Sequence, residues 1–328
     1  MPVDADHAPH ARGRSAHTSF EQALERAGEV LGPLAQAAVP IGPMTTYRVG
    51  GPAALFVRLT AVEQLRVVAE ARRTSGLPVL VLGRGSNMLV ADAGFPGIAV
   101  SMVDLPERLD IDDAAYRVTA SAGLALPVVA RKTAAAGLTG FEWAVGVPGS
   151  IGGAVRMNAG GHGSDMAAAL VSVDVFDLDA SEERTLAVED LGLGFRSSAL
   201  APDHLVLSAE LQLAAGDVGE SAQLLKEIVA WRRANQPGGQ NAGSVFVNPV
   251  PGEVSAGALI DAAGLRGHRV GSAEVSTKHA NFIQADDGGL AADVRTLMAH
   301  VRDQVEATSG FRLRSEIRLV GFGDEDES

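Results

Sequence analysis

Two glycine-rich stretches supply residue types that suit the binding of a phosphate. The first, Gly83-Arg84-Gly85-Ser86-Asn87, lies between two apolar runs, residues 77–82 and 88–90, and so forms a strand, loop, strand unit. Successive backbone N–H groups in such a loop make an anion nest, and the side chains of Ser86 and Asn87 add donors. The second is Val147-Pro148-Gly149-Ser150 followed by Ile151-Gly152-Gly153. It reads as a turn opening a buried helix over residues 151–158, with Ser150 as the N-cap. Free N–H groups in the first turn of that helix favour an anion, and Gly149, Gly152 and Gly153 let a ligand or another backbone come close. A cofactor diphosphate fits this chemistry. Taken singly, a hairpin turn and a tight packing contact are the ordinary explanations of the two stretches. Gly83-x-Gly85-x-x-Met88 lacks the third glycine of a dinucleotide fingerprint, and no G-x-x-x-x-G-K-[ST] sequence occurs.

The elements that must position these loops belong to a chain of 328 residues, long enough for two or three domains with sizeable cores. Apolar residues at 46% and charged residues at 20% are those of a globular protein. A net charge of −13 argues against nucleic acid as a partner and means that an anionic ligand must be held by a local cluster. With no cysteine, disulfides, thiolate metal sites and a catalytic thiol are excluded, so redox chemistry would need a bound cofactor. Residues 1–18 have almost nothing to bury and read as a disordered tail, and residues 323–328 as a short acidic one. No apolar run is long enough for a membrane span or a signal peptide, and the simplest location is cytoplasmic.

In chain order, Ser19 can cap a helix over 20–31, and residues 54–59 form a strand after the turn-rich Thr45 to Ala53. A helix over 62–73, a strand over 77–82, and strands at 98–103 and 116–120 follow, then a helix over 126–136. Strands at 170–178 and 204–213 flank the loop Phe195-Arg196-Ser197-Ser198, and a helix over 221–234 leads into Asn235-Gln236-Pro237-Gly238-Gly239, a domain boundary. Beyond it come Ala242-Gly243-Ser244-Val245-Phe246-Val247-Asn248-Pro249, a helix over 255–263, a helix over 290–308 and a strand over 313–320 carrying Glu316.

The segments TTYRVGGPA, VLGRGSNMLV, GLTGFEWAVGVPGSIGGAVRMNAG, FRSS, AGSVFVNP, AEVSTKHANFI and LRSEIRL, in this order, resemble the UDP-N-acetylenolpyruvoylglucosamine reductase family, also called UDP-N-acetylmuramate dehydrogenase. The resemblance spans residues 45–321. It implies an α+β fold of the vanillyl-alcohol-oxidase type, with two FAD-binding subdomains over 19–234, a substrate domain over 235–312 and a C-terminal strand within 313–328. It implies FAD and NADPH as cofactors, a UDP-sugar as the small-molecule substrate, and no nucleic-acid, membrane or obligatory protein partner. Hydride passes from NADPH through FAD to an enolpyruvyl ether, in peptidoglycan precursor synthesis.

Carried over by position, the family's catalytic residues are Arg196, Ser244 and Glu316. Arg196 would offer a fork of donors to the substrate carboxylate, Ser244 a proton, and Glu316, kept neutral by burial, a hydrogen bond. Gly83, Gly85, Ser86, Asn87, Gly149, Ser150, Ile151, Gly152 and Gly153 would cradle the flavin diphosphate, with Arg48 and Gly51 nearby. Asn248, Arg232, Gln236 and Lys278 would meet the substrate, and no metal is expected. Phe195 stands where the family has Tyr, and Val247 where a Lys is common. Tyr47 and Tyr116 are the only tyrosines, so the chain falls in a shorter branch that lacks a Tyr-bearing loop. A flavin oxidase acting on another sugar or alcohol, or a non-catalytic nucleotide-sugar binder, is the alternative.

Overall fold

A computed structural model describes residues 11–323. Helix α1 (Ala11–Leu31) begins well before the expected position, so Ser19 lies inside it instead of capping it. The Ala and Arg of this segment favour helix without supplying anything to bury, which is why a reading based on apolar content missed it. Residues 1–10 of the expected N-terminal tail, and 324–328 of the acidic tail, lie outside the described residues.

The first sheet runs in the order Ala35–Pro40, Pro52–Arg58, Phe95–Ser101, Val79–Leu82; its first pair is antiparallel and the others are parallel. Alternation along Pro52–Arg58 sends Leu55 and Val57 to one face and Phe56 to the other. The Leu55 face is covered by α1 and α2 (Gln64–Ser75), through Ala27, Leu31, Leu65 and Val68.

The second sheet is antiparallel throughout, in the order Glu182–Ala187, Leu170–Asp177, His204–Gln212, Arg117–Ser121, Leu109–Asp112. Helices α3 (Leu126–Ala135), α4 (Ile151–Met157) and α5 (Val218–Asn235) share its core, where Val129, Ile151, Val155 and Ile228 join Val118, Val173, Val175 and Leu211. Phe176 and Leu205 of this sheet sit in the core of the first, so the two layers share buried surface.

The third unit holds α6 (Ala256–Ala262), α7 (Ala291–Ser309) and the small antiparallel sheet Arg269–Val270, Ala273–Val275, Ile283–Ala285. Its core takes in Tyr47, Val49 and Leu89 from the N-terminal half. Asp92 fastens it further: its carboxylate oxygens accept the N–H groups of Ala291 and Ala292, each at 2.9 Å, and so cap α7 across nearly 200 residues.

The last strand is Arg318–Val320, parallel to Met88–Val90, and is shorter than expected. Residues 313–317 make only an isolated bridge, Ser315 to Phe246, which leaves Glu316 in irregular backbone instead of on an alternating strand. Ala35–Pro40 and Glu182–Ala187 were missed because they are largely exposed edge strands without an apolar face.

Candidate active site

The two glycine loops face each other. A Cβ on Gly83 would stand 2.9 Å from the Ser150 hydroxyl, and one on Gly149 2.8 Å from the Ser86 hydroxyl, which itself donates to the Pro148 carbonyl at 3.2 Å. Gly85 has φ +60° and is packed against the Met44 carbonyl and Thr45, so any larger residue there would collide with backbone. Among the described residues, no backbone N–H from Gly83 to Asn87 donates a hydrogen bond within the protein. A run of unspent donors that includes the buried Gly85 calls for an acceptor from outside the chain.

The first turn of α4 behaves differently from the expectation. Ser150 does cap it, its hydroxyl accepting from Gly153 N–H at 3.4 Å. Yet the N–H of Ile151 donates to the Leu124 carbonyl and that of Gly152 to the Ala122 carbonyl, both at 2.9 Å. The donors at Ile151, Gly152 and Gly153 are therefore taken by the turn that follows the strand Arg117–Ser121 and by the helix's own cap. The unspent N–H groups of this turn, among the described residues, are those of Gly149 and Ser150. Together with the facing loop they match the acceptors of a diphosphate, and an FAD diphosphate fits this cradle.

Gly51 is used differently from the cradle glycines: a Cβ there would lie 2.3 Å from the Asp92 carbonyl, so its bareness serves loop packing. Arg48 is exposed, with φ +56°.

Arg196 occupies the tip of a tight loop closed by two backbone bonds between Gly194 and Ser197, and its φ of +56° is a strained value for a side-chain-bearing residue. Its Nη2 donates to the Gly160 carbonyl at 2.9 Å, and its Nε stands 2.8 Å from Oε1 of Glu316. The Nε–H is not aimed at that oxygen, so the contact is an ion pair without an aligned hydrogen bond. Phe195 leaves half its surface exposed and lies 5.4 Å below the guanidinium carbon, so ring packing replaces any phenol contact here.

Glu316 is mostly buried, and burial pushes its carboxyl above the usual range of about 4.5, while Arg196 and then Arg314 pull the other way. Its backbone is tied on both sides. The Glu316 N–H donates to the Val245 carbonyl at 2.8 Å, and the Asn87 side-chain amide donates to the Glu316 carbonyl at 3.1 Å. Asn87 thus joins the anion loop to the acid, and Val245 joins the acid to the segment carrying Ser244. The half-buried Ser244 hydroxyl makes no hydrogen bond among the described residues, which leaves its proton free to be given.

The expected substrate contacts are more dispersed. Asn248 already accepts the Ala256 N–H at 3.0 Å, leaving its amide nitrogen for a ligand. Lys278 donates its ammonium to the Arg233 carbonyl at the end of α5, and Gln236 keeps a buried carbonyl oxygen without a partner among the described residues. Burial holds the half-buried Arg232 guanidinium below its ordinary value. Val247, in place of the usual Lys, is buried and donates its N–H to Arg314. His279 accepts the Asn281 N–H on Nδ1 at 3.3 Å and packs edge-on against Phe282, a structural role.

Sequence reasoning missed the groups that hold the Arg196 loop. Asn158, at the end of α4 with φ +39°, accepts the Ala167 N–H and donates to the Gly194 carbonyl, each at 2.9 Å. Arg156 donates to the carbonyls of Leu200, Ala201 and His204, while Ser198 donates to the Arg156 carbonyl at 2.7 Å. Only the Met-Asn-Ala-Gly-Gly run hinted at Asn158, as an αL helix stop. Asn158→Ala should cost about 1–3 kcal/mol by removing a buried amide that bridges Ala167 and Gly194, read as a lower denaturant midpoint.

Asp177, Asp203 and His204 bring possible metal-ligand atoms within 4.8 Å of one another on the second sheet. Asp177 already accepts the N–H groups of Asp179 and Ala180 on Oδ1 and an Arg184 guanidinium on Oδ2, so both its oxygens are engaged within the protein.

Residues 235–320 match the family model for the C-terminal domain of UDP-N-acetylenolpyruvoylglucosamine reductase, and residues 52–185 match an FAD binding domain. The chain is 42% identical over 293 residues to the UDP-N-acetylenolpyruvoylglucosamine reductase of Gloeobacter violaceus, covering 88% of this chain and 97% of that one. It is 42% identical over 284 residues to the reductase of Heliobacterium modesticaldum, covering 86% and 89%. The crystal structure of UDP-N-acetylenolpyruvylglucosamine reductase from Thermus caldophilus superposes with a TM-score of 0.74 at 34% identity, covering 87% of this chain and 98% of that one. Similarity of this depth over nearly the whole length places the chain in the UDP-N-acetylenolpyruvoylglucosamine reductase family.

Proposed function

We propose that this chain reduces the enolpyruvyl ether of UDP-N-acetylglucosamine enolpyruvate to the lactyl ether of UDP-N-acetylmuramate, with NADPH as reductant and FAD as the bound carrier. The reaction belongs to peptidoglycan precursor synthesis, and its nucleotide-sugar and NADPH substrates assign it to the cytoplasm. Among the described residues no helix is long and apolar enough to cross a membrane. The observation that carries the reading is the meeting of Arg196 and Glu316 at 2.8 Å, with Glu316 tied through Asn87 to the loop of unspent N–H donors.

Bound FAD supplies the hydride-transfer chemistry between NADPH and the terminal vinyl carbon of the substrate. As that carbon gains hydride, negative charge develops on its neighbour and spreads onto the carboxylate. Arg196 stabilises this charge with a planar fork of donors held in place by Gly160 and Phe195. Glu316, whose carboxyl is raised by burial, adds a hydrogen bond to the same carboxylate when it carries its proton. Ser244 delivers the proton to the charged carbon, which completes addition of H⁻ and H⁺ across the double bond. The Gly83–Asn87 loop and the N–H groups of Gly149 and Ser150 grip the cofactor diphosphate.

The purified protein should show a yellow flavin absorption band that NADPH bleaches and the enolpyruvyl sugar restores anaerobically. A band restored rapidly by oxygen but not by the enolpyruvyl sugar would instead indicate an oxidase.

A further inference from the structure

Trp231 leaves 49% of its surface exposed near the C-terminal end of α5, on the flank of the stripe that buries Ile228. A single exposed indole is ordinary by itself. Its surroundings are less so. The His162 ring meets it at 5.1 Å between centroids and nearly at right angles. His162 is held in the left-handed region at φ +52°, at the tip of the hairpin formed by Gly160–Gly161 and Ser164–Asp165. The ring also lies over Gly146, where even a Cβ would come within 3.2 Å of it. Burial, and after it the charge of Arg232, holds the imidazole below its ordinary value, so a neutral ring braces the indole at neutral pH.

The same hairpin leads to the reacting groups. Gly160 accepts Arg196 Nη2 at 2.9 Å, and His162 lies two positions further along the chain. At about 3.3 Å per residue, the indole lies within about 20 Å of the Arg196 guanidinium. That is comparable with the length of an extended nucleoside diphosphate sugar. Two cations lie at this end of α5: Arg232, whose charge reaches His162, and Lys278, which donates to the Arg233 carbonyl. In a chain with a net charge of −13, such a pair is what a diphosphate requires.

We infer that Trp231, braced by His162, is the platform on which the uracil base of the nucleotide sugar stacks, with the cations of the α5 terminus facing the diphosphate. This assignment rests on the proposed function and adds a specificity residue to it. An indole face stacks on a pyrimidine without any need for the phenol or the Lys that this chain lacks.

The chain has two tryptophans, and Trp143 is buried with 4% exposure, so quenchable emission reports Trp231. UDP titrated into the FAD-loaded protein should protect that emission from acrylamide, and pyrophosphate alone should not. Trp231→Ala should raise KM for the enolpyruvyl sugar about ten- to a hundredfold and leave kcat within about threefold, while Trp231→Phe keeps most of the affinity. An active Trp231→Ala enzyme with unchanged KM, or equal protection by pyrophosphate, overturns the platform and leaves the proposed function standing. A wild-type protein that never oxidises NADPH with the enolpyruvyl sugar overturns the function and the platform together.

Discussion

Ser244→Ala is expected to lower kcat by about a hundred- to ten-thousandfold, while the flavin band still bleaches with NADPH at the native rate. The two half-reactions separate because the hydroxyl is needed only when a proton must reach the substrate carbon. A serine is a poor acid in water, so its contribution depends on being held in place and unspent. Its backbone neighbour Val245 is fixed twice, through N–H to the Asn281 carbonyl at 2.9 Å and through its own carbonyl to Glu316 N–H at 2.8 Å. The hydroxyl itself has no partner among the described residues to compete for the proton. Stopped-flow absorbance would follow each half-reaction separately. A native rate of flavin reoxidation by the enolpyruvyl sugar in Ser244→Ala would remove serine from the proton-donor role.

Arg196→Lys should lose about a hundred- to a thousandfold in kcat, although the charge is kept. One guanidinium reaches Gly160 through Nη2 and Glu316 through Nε at the same time, and a single ammonium cannot span those directions. Loss of Arg196 also alters titration. Burial raises the Glu316 carboxyl, and Arg196 is the first of the groups that oppose it. On the proposed mechanism the protonated acid is the working form, so activity is expected to fall as pH rises through the folded value of Glu316. In Arg196→Ala, removing the cation moves that fall to higher pH in the residual rate. Glu316→Gln, which cannot ionise, should lose the alkaline fall altogether. A pH profile of the oxidative half-reaction distinguishes these cases: an unchanged alkaline limb in Glu316→Gln would assign the titration to another group.

The same ionisation bears on stability. A carboxyl whose folded value lies above its unfolded one binds its proton more tightly in the native state, so its contribution is fully present below about 4.5 and is lost as pH rises through the folded value.

How far the chain could be read follows from which interactions are local. Glycine loops between apolar runs, the Ser150 cap, and the helices α2, α3 and α7 are set by residues within a few positions of each other. All were legible for that reason, and the ordered segments TTYRVGGPA through LRSEIRL carried the family resemblance. Where an apolar pattern was lacking the reading failed: α1 begins at Ala11, ahead of any apolar spacing in the sequence, and the edge strands Ala35–Pro40 and Glu182–Ala187 have no apolar alternation to show.

The amino-acid order alone determined the residue types on hand, two flexible anion loops, a fork-shaped cation, a hydroxyl and an acid, and the absence of any thiol. It could not say which backbone donors would remain free. Only folding spends the N–H groups of Ile151 and Gly152 on Leu124 and Ala122 and leaves those of Gly149 and Ser150 open. Nor could it bring Arg196 within 2.8 Å of Glu316, 120 positions away, or bury that acid enough to raise its carboxyl above the ordinary range. Hydrogen-bond pairing and desolvation depend on neighbours distant in the chain, and no local pattern of residues encodes them.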